Sequence, residues 1–128
     1  MKAMLDTHAF LWWNTDDEQL SVRARAIIAD GHNEIYFSAA SAWEIAIKAS
    51  KGRLILPEEP GAYIASRLKN HHFQALPIQI SHTVQVYNLP RHHDDPFDRL
   101  LIAQCQLEGL HLLTLDPQIQ KYDVETIW

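Results

Sequence analysis

The sequence is poor in the residues that would place it in a specialised class. Its one cysteine, Cys105, cannot form an intrachain disulfide. With four glycines and six prolines in 128 residues, a collagen-like or low-complexity chain is excluded. There is no glycine-rich phosphate loop, no HExxH and no paired-cysteine motif, so the common nucleotide and zinc signatures are missing. No run approaches the roughly 20 apolar residues of a membrane span. The N-terminal KAMLDTHAFLWW is broken by Asp6 and His8, unlike a signal peptide. The expectation is a cytoplasmic protein with no membrane partner. Basic charge is scarce too: 11 basic residues stand against 16 acidic ones, a net charge of −5. That disfavours a strongly basic nucleic-acid binder, unless several of the acids hold divalent metal and reverse the local charge.

What is present is an ordinary globular composition, 47% hydrophobic, long enough for one domain over residues 1–128 with its own core. Residues 2 to 5 read as a buried strand ending at Asp6, and Asp6 or Thr7 can cap a helix through Trp13. Ser21 opens a second helical pattern that ends near Gly31. A second strand is expected over 35–38, followed by a helix from Ser41 to Gly52. Residues 54–56 form a third apolar patch. Helices over 61–70 and 81–89 flank an extended segment over 73–78, and a last strand at 111–115 precedes an edge strand over 124–128. Short apolar strands alternating with amphipathic helices point to an α/β sandwich with a mostly parallel sheet. In such sheets the functional crevice lies beyond the carboxyl ends of the strands.

The stretch HHDDPFDRLLIAQCQLEG at 92–109 is the most informative. Pro96 suits a first helical turn, Asp94 or Asp95 can cap it, and Leu100, Leu101, Ile102, Cys105 and Leu107 supply an apolar face up to Gly109. Asp98 sits inside that helix among residues that should be buried. Three more acids share this peculiarity: Asp6 after the first strand, Glu44 within AWEIAI, and Asp116 after LLTL. Bare carboxylates gathered at one sheet edge would repel one another and be costly to desolvate. A hard divalent cation, Mg²⁺ or Mn²⁺, removes that difficulty through oxygen ligands, and its chemistry would be phosphodiester hydrolysis. Each acid also has a plainer reading. Asp6 can be a helix cap, Glu44 can form a solvated pair with Lys48 four residues on, Asp116 before Pro117 can start a turn, and Asp95 can cap the helix.

Other residues carry weaker signals. Arg91 and Arg99 flank the acids and can hold phosphate, or Arg99 can pair with an acid on its own helix. Lys48, Lys51 and Arg53 form the densest basic group, a phosphate-binding rim or a solvated helix end. His92 and His93 read as surface histidines, and Trp12, Trp13 and Trp43 as core or subunit interface. An aspartyl-phosphate hydrolase of the haloacid dehalogenase type would want an acid where His8 stands. A phosphorylation receiver would want adjacent acids after the first strand.

The segments MLDTHAFLWW at 4–13, SAASAWEIAIKASKGRL at 38–54, HHDDPFDRLLIAQCQLEGL at 92–110 and LLTLDPQIQKYDVETIW at 112–128 resemble a PIN domain. The likeness is to the VapC-type toxins of toxin–antitoxin pairs and covers essentially the whole chain. It implies a three-layer α/β/α sandwich and a Mg²⁺- or Mn²⁺-dependent endoribonuclease. It places Asp6, Glu44, Asp98 and Asp116 at the metal, with Asp6 and Asp98 as the most direct ligands. It also implies supporting hydroxyls at Thr7 and Thr114, a subgroup motif that includes Asp95, a VapB-type antitoxin partner, an RNA substrate and a homodimer. The alternatives are a catalytically silent PIN-like partner-binding domain and a metal-dependent phosphohydrolase.

Overall fold

The computed structural model describes residues 1–128. Strand β1 (Lys2–Leu5) is buried from Ala3 onward, and Asp6 turns the chain directly into α1 (Thr7–Thr15). Helix α2 (Val22–Ala29) starts from a Ser21 cap. The last residue of β2 (Glu34–Ser38) caps α3 (Ala39–Ser50) by accepting the Ala40 N–H on its hydroxyl. Helix α3 therefore starts two residues before the expected Ser41, which turns inward and is buried. Next come α4 (Pro60–His71), β3 (Gln74–Leu76) and α5 (Ile80–Gln85), the last running into a 3-10 turn at Val86–Asn88. Helix α6 (Pro96–Glu108) is capped by Asp95 and stopped by Gly109 in the left-handed conformation that glycine adopts freely. Strands β4 (His111–Leu113) and β5 (Thr126–Ile127) complete the chain.

The extended segment over 73–78 is strand only in β3, the strands expected over 111–115 and 124–128 shorten to β4 and β5, and the apolar patch over 54–56 lies outside any helix or strand. There Leu54 and Leu56 pack on the core while Ile55 is exposed.

All four strand pairings are parallel, in the order β3-β2-β1-β4-β5. Alternation along each strand feeds two cores. Ala3, Leu5, Ile35, Phe37 and Leu113 point to one face, where Phe10 of α1, Ala24 of α2 and Tyr63 of α4 cover them. Met4 and Leu112 point to the other, against Leu101, Ile102 and Cys105 of α6. The result is the three-layer α/β/α sandwich expected, with a wholly parallel sheet. No helix is long and apolar enough to cross a membrane.

A buried polar chain joins the two sides of the second core. The Ser38 hydroxyl donates to Gln104 Oε1, and Gln104 Nε2 donates to the Pro77 carbonyl at 3.2 Å. Gln104 Nε2 also lies 3.3 Å from Nδ1 of the fully buried His82, whose Nε2 is 3.0 Å from Glu108. This chain fixes the start of α3 against α6, the two helices that carry Glu44 and Asp98.

Candidate active site

From β1 the chain runs to β2 and β3 on one side of the sheet, while β4 and β5 lie on the other. The direction of winding therefore reverses between β1 and β4, and the crevice beyond their carboxyl ends is the place where such sheets bind ligands. Asp6 and Asp116 stand there. Asp6 follows β1 and its backbone N–H still pairs with Leu113 O of β4 at 3.1 Å. Asp116 follows β4, and its N–H donates to the Thr114 hydroxyl at 3.1 Å. The two acids line one recess of about 270 Å³ together with His8, Trp12, Leu115 and Pro117.

The cap reading and the site reading of Asp6 coexist. Oδ1 takes the Ala9 N–H at 2.7 Å, yet the carboxyl group is buried and lies within electrostatic range of Asp116. Desolvation raises its pKa and the charge of Asp116 raises it further, against lowering by the Thr114 hydroxyl, the Ala9 N–H and His8. Thr114 is fully buried and serves both acids. Asp116 also accepts the Gln118 N–H at 2.8 Å, so its turn role is real as well.

Asp98 reaches the same crevice from the first turn of α6. Its pKa is pushed up to about 7, first by burial, then by the charges of Asp95 and Asp116. His93 opposes that shift: its Nε2 lies 3.1 Å from Asp98 Oδ2. His93 is not the surface residue expected. Its side chain is only 15% exposed, and its Nδ1 lies 2.8 Å from the Tyr122 hydroxyl. A His–Tyr pair thus orients Asp98, and nothing in the spacing of Tyr122 signals this. The doubled histidine before DDPFD is the one available hint. His92 stays exposed, with its ring edge-on to Tyr122.

Glu44 sits one contact further out. Its Oε1 accepts from the Thr7 hydroxyl at 2.6 Å, and that hydroxyl lies 2.9 Å from Ser41. Oε2 pairs with Lys48 at 2.7 Å. The pair with Lys48 therefore forms, but Glu44 is buried, so it is not the solvated pair expected. Thr7 links Glu44 to the neighbouring Asp6, a role close to the support that the resemblance implies.

Asp95 is the α6 cap, accepting the Phe97 and Asp98 N–H groups at 2.9 and 3.1 Å. Arg91 is exposed and pairs with Asp94, as a rim residue can. Arg99 is a correction: it is buried rather than on an open rim, and it pairs with no acid. Its guanidinium is buried, donating to the Pro90 carbonyl at 2.8 Å and the Tyr122 hydroxyl at 3.0 Å, with the Val86 and Leu89 carbonyls at the edge of reach. Of the tryptophans, Trp12 and Trp13 pack on the core as expected. Trp43 is 57% exposed against Phe97, beside Glu44 and Asp98.

The structure thus brings Asp116 within electrostatic range of both Asp6 and Asp98, and Glu44 is tied to Thr7, the residue after Asp6. The donors are all carboxylate oxygens, the set a hard divalent cation prefers, and the raised carboxylates lack the opposite charge that such an ion supplies. As the side chains stand, no three acids or histidines converge tightly enough to hold an ion. The residues fit a metal in kind, while in this arrangement Lys48 on Glu44 and His93 on Asp98 hold two of the carboxylates.

Comparisons with known proteins place the chain in a family. Ribonuclease VapC22 of Mycobacterium tuberculosis is 27% identical over 120 residues, covering 93% of this chain and 90% of that protein. Ribonuclease VapC16 of the same organism is 42% identical over 59 residues, but this match takes in only 46% of this chain and 42% of the relative. Among solved structures, VapBC2 of Rickettsia felis bound to a promoter DNA fragment superposes with a TM-score of 0.75 at 15% identity, covering 100% and 99% of the two chains. FitAcB of Neisseria gonorrhoeae gives 0.64 at 19% identity, covering 100% and 97%. Such identities speak for the fold alone. The PIN domain family model, however, matches residues 3–125. With nearly the whole chain inside that match and the acids at its strand ends, this protein belongs to the PIN domain family.

Proposed function

We propose that the protein is a metal-dependent endoribonuclease, the toxin of a VapBC-type pair held in check by a VapB-type antitoxin. The observation that carries this reading is the placing of Asp6 and Asp116 in one recess at the winding reversal of a parallel sheet, with buried Asp98 within electrostatic range of Asp116. The curated relatives named as VapC ribonucleases support the substrate, and the VapBC2 neighbour supports an antitoxin partner. Asp6 and Asp98 would hold Mg²⁺ or Mn²⁺ most directly, with Asp116 and Glu44 completing the site. An ion bound there would acidify a water and balance charge on the phosphate.

The chain's own residues do the rest. Thr114 fixes Asp6 and Asp116, and Thr7 fixes Glu44. His93 holds Asp98 through Oδ2, and Lys48, which sits on Glu44, could meet phosphate once released, with exposed Arg91 as a second candidate cation before α6. A homodimer belongs to the reading because exposed Ile80, Val84 and Tyr87 recur on one side of α5 and the turn after it.

Purified protein with Mn²⁺ is expected to cut RNA. Excess EDTA is expected to stop it, and Asp6→Asn and Asp98→Asn each to abolish it in folded protein. Cleavage that persists undiminished in EDTA would sink the metal mechanism. Sequencing RNA 5′ ends after brief induction, wild type against Asp98→Asn, identifies the substrate. Expression of the wild type is expected to arrest growth, with relief by a co-expressed antitoxin.

A further inference from the structure

A second cleft opens beside the acidic recess. It has a volume of about 360 Å³ and is mostly apolar, with Leu11, Ile45 and Leu56 among its walls. His8 and Trp12 line both the cleft and the recess, their rings 5.4 Å apart, so they form the partition between them. Thr7, which bonds Glu44, lies on the cleft side. Two cations, Lys48 and Arg53, complete the lining. Of these two, Lys48 is paired with Glu44, while Arg53 is exposed and pairs with no carboxylate. Its charge is therefore available to a ligand that enters the cleft.

We propose that this cleft is a nucleobase subsite: it receives one unpaired base of an RNA strand whose neighbouring phosphate lies in the Asp6–Asp116 recess. The inference rests on the ribonuclease reading given above. Single-stranded nucleic acid is held by aromatic faces for its bases and cations for its backbone, and this wall supplies both. Trp12 and His8 offer the rings and Arg53 offers the charge. The volume suits one base with its sugar and is too small for a helix about 10 Å across. A duplex could not deliver a base there without flipping it out of the stack, so the preferred substrate is a loop or an unpaired segment.

The test uses the full chain carrying Asp98→Asn and single-stranded RNA with 4-thiouridine at successive positions, followed by peptide mapping after irradiation. Crosslinks to Trp12, Ile55 or Tyr63 from one position in the RNA are expected. In cleavage assays, Arg53→Glu and Thr15→Trp, the second placing a bulky ring at the mouth of the cleft, are expected to raise KM about tenfold. Both should also flatten base preference at one position beside the cut. Cleavage by the wild type without cleft crosslinks overturns the subsite and leaves the ribonuclease reading standing. Cleft crosslinks without cleavage by the wild type do the reverse, and protein that neither binds nor cuts RNA removes both. Variants that keep KM and base preference but escape antitoxin inhibition would assign the cleft to a peptide and overturn the proposal.

Discussion

Arg99 shows how far a residue type can mislead when its surroundings are unseen. From its neighbours it reads as a phosphate ligand beside Asp98 or as the partner of an acid on its own helix. In the fold it is the hub that pins the segment before α6, one planar group donating to the Pro90 carbonyl and Tyr122 with two more carbonyls in range. A guanidinium suits that work because its five donors spread in a plane, while an ammonium is a compact point charge. Arg99→Lys is therefore expected to cost about 2–3 kcal/mol, the penalty for buried acceptors left without donors. The urea midpoint of unfolding measures it, and an unchanged midpoint would remove Arg99 from this structural role. Because Tyr122 also contacts His93, the variant should in addition loosen Asp98.

Among the helices, α6 best shows what was legible in the sequence. Its start at Pro96, its Asp95 cap and its stop at Gly109 are local events, decided by proline ring geometry, a side-chain acceptor and a residue free to take positive φ. So are β1, α1 and β4. The polar links between elements were not legible: Ser38 to Gln104, His93 to Tyr122 and Thr7 to Glu44 join residues far apart in the chain, and no period or spacing announces them. Asp95 acts twice, as cap and as a charge that raises Asp98. The two roles separate by substitution. Asp95→Ala should cost about 1 kcal/mol of stability, or about 4 °C in Tm, while Asp95→Asn keeps most of the cap. Both should lower the pKa of Asp98 toward its ordinary range, which a carboxyl NMR titration reads directly. An unmoved Asp98 pKa in both variants would show that Asp95 acts as a cap only.

For the molecule as a whole, the acidic crevice opposes folding and does so in a pH-dependent way. Asp98 titrates near 7 in the fold against an ordinary value of 3.8, and Asp6 is shifted in the same direction. A raised carboxyl holds its proton more tightly in the native state than in the unfolded chain. The stability this brings is present in full below about pH 4 and is lost as pH rises through 7, at up to about 1.4 kcal/mol per pH unit for each such group. Metal-free protein is thus expected to lose Tm between pH 4 and 7.5, apart from the effects of other titrating groups. Asp98→Asn, which has no such proton to lose, should flatten part of that slope and melt higher than the wild type at pH 7.5 even though it is inactive. A divalent cation that binds only the folded, ionised site must stabilise by mass action and most where the carboxylates are charged. Millimolar Mn²⁺ should therefore raise the wild-type Tm at pH 7.5, do little at pH 4.5, and leave Asp98→Asn nearly unmoved at either pH. An equal Mn²⁺ shift in wild type and variant would mean that the ion stabilises from somewhere other than this crevice.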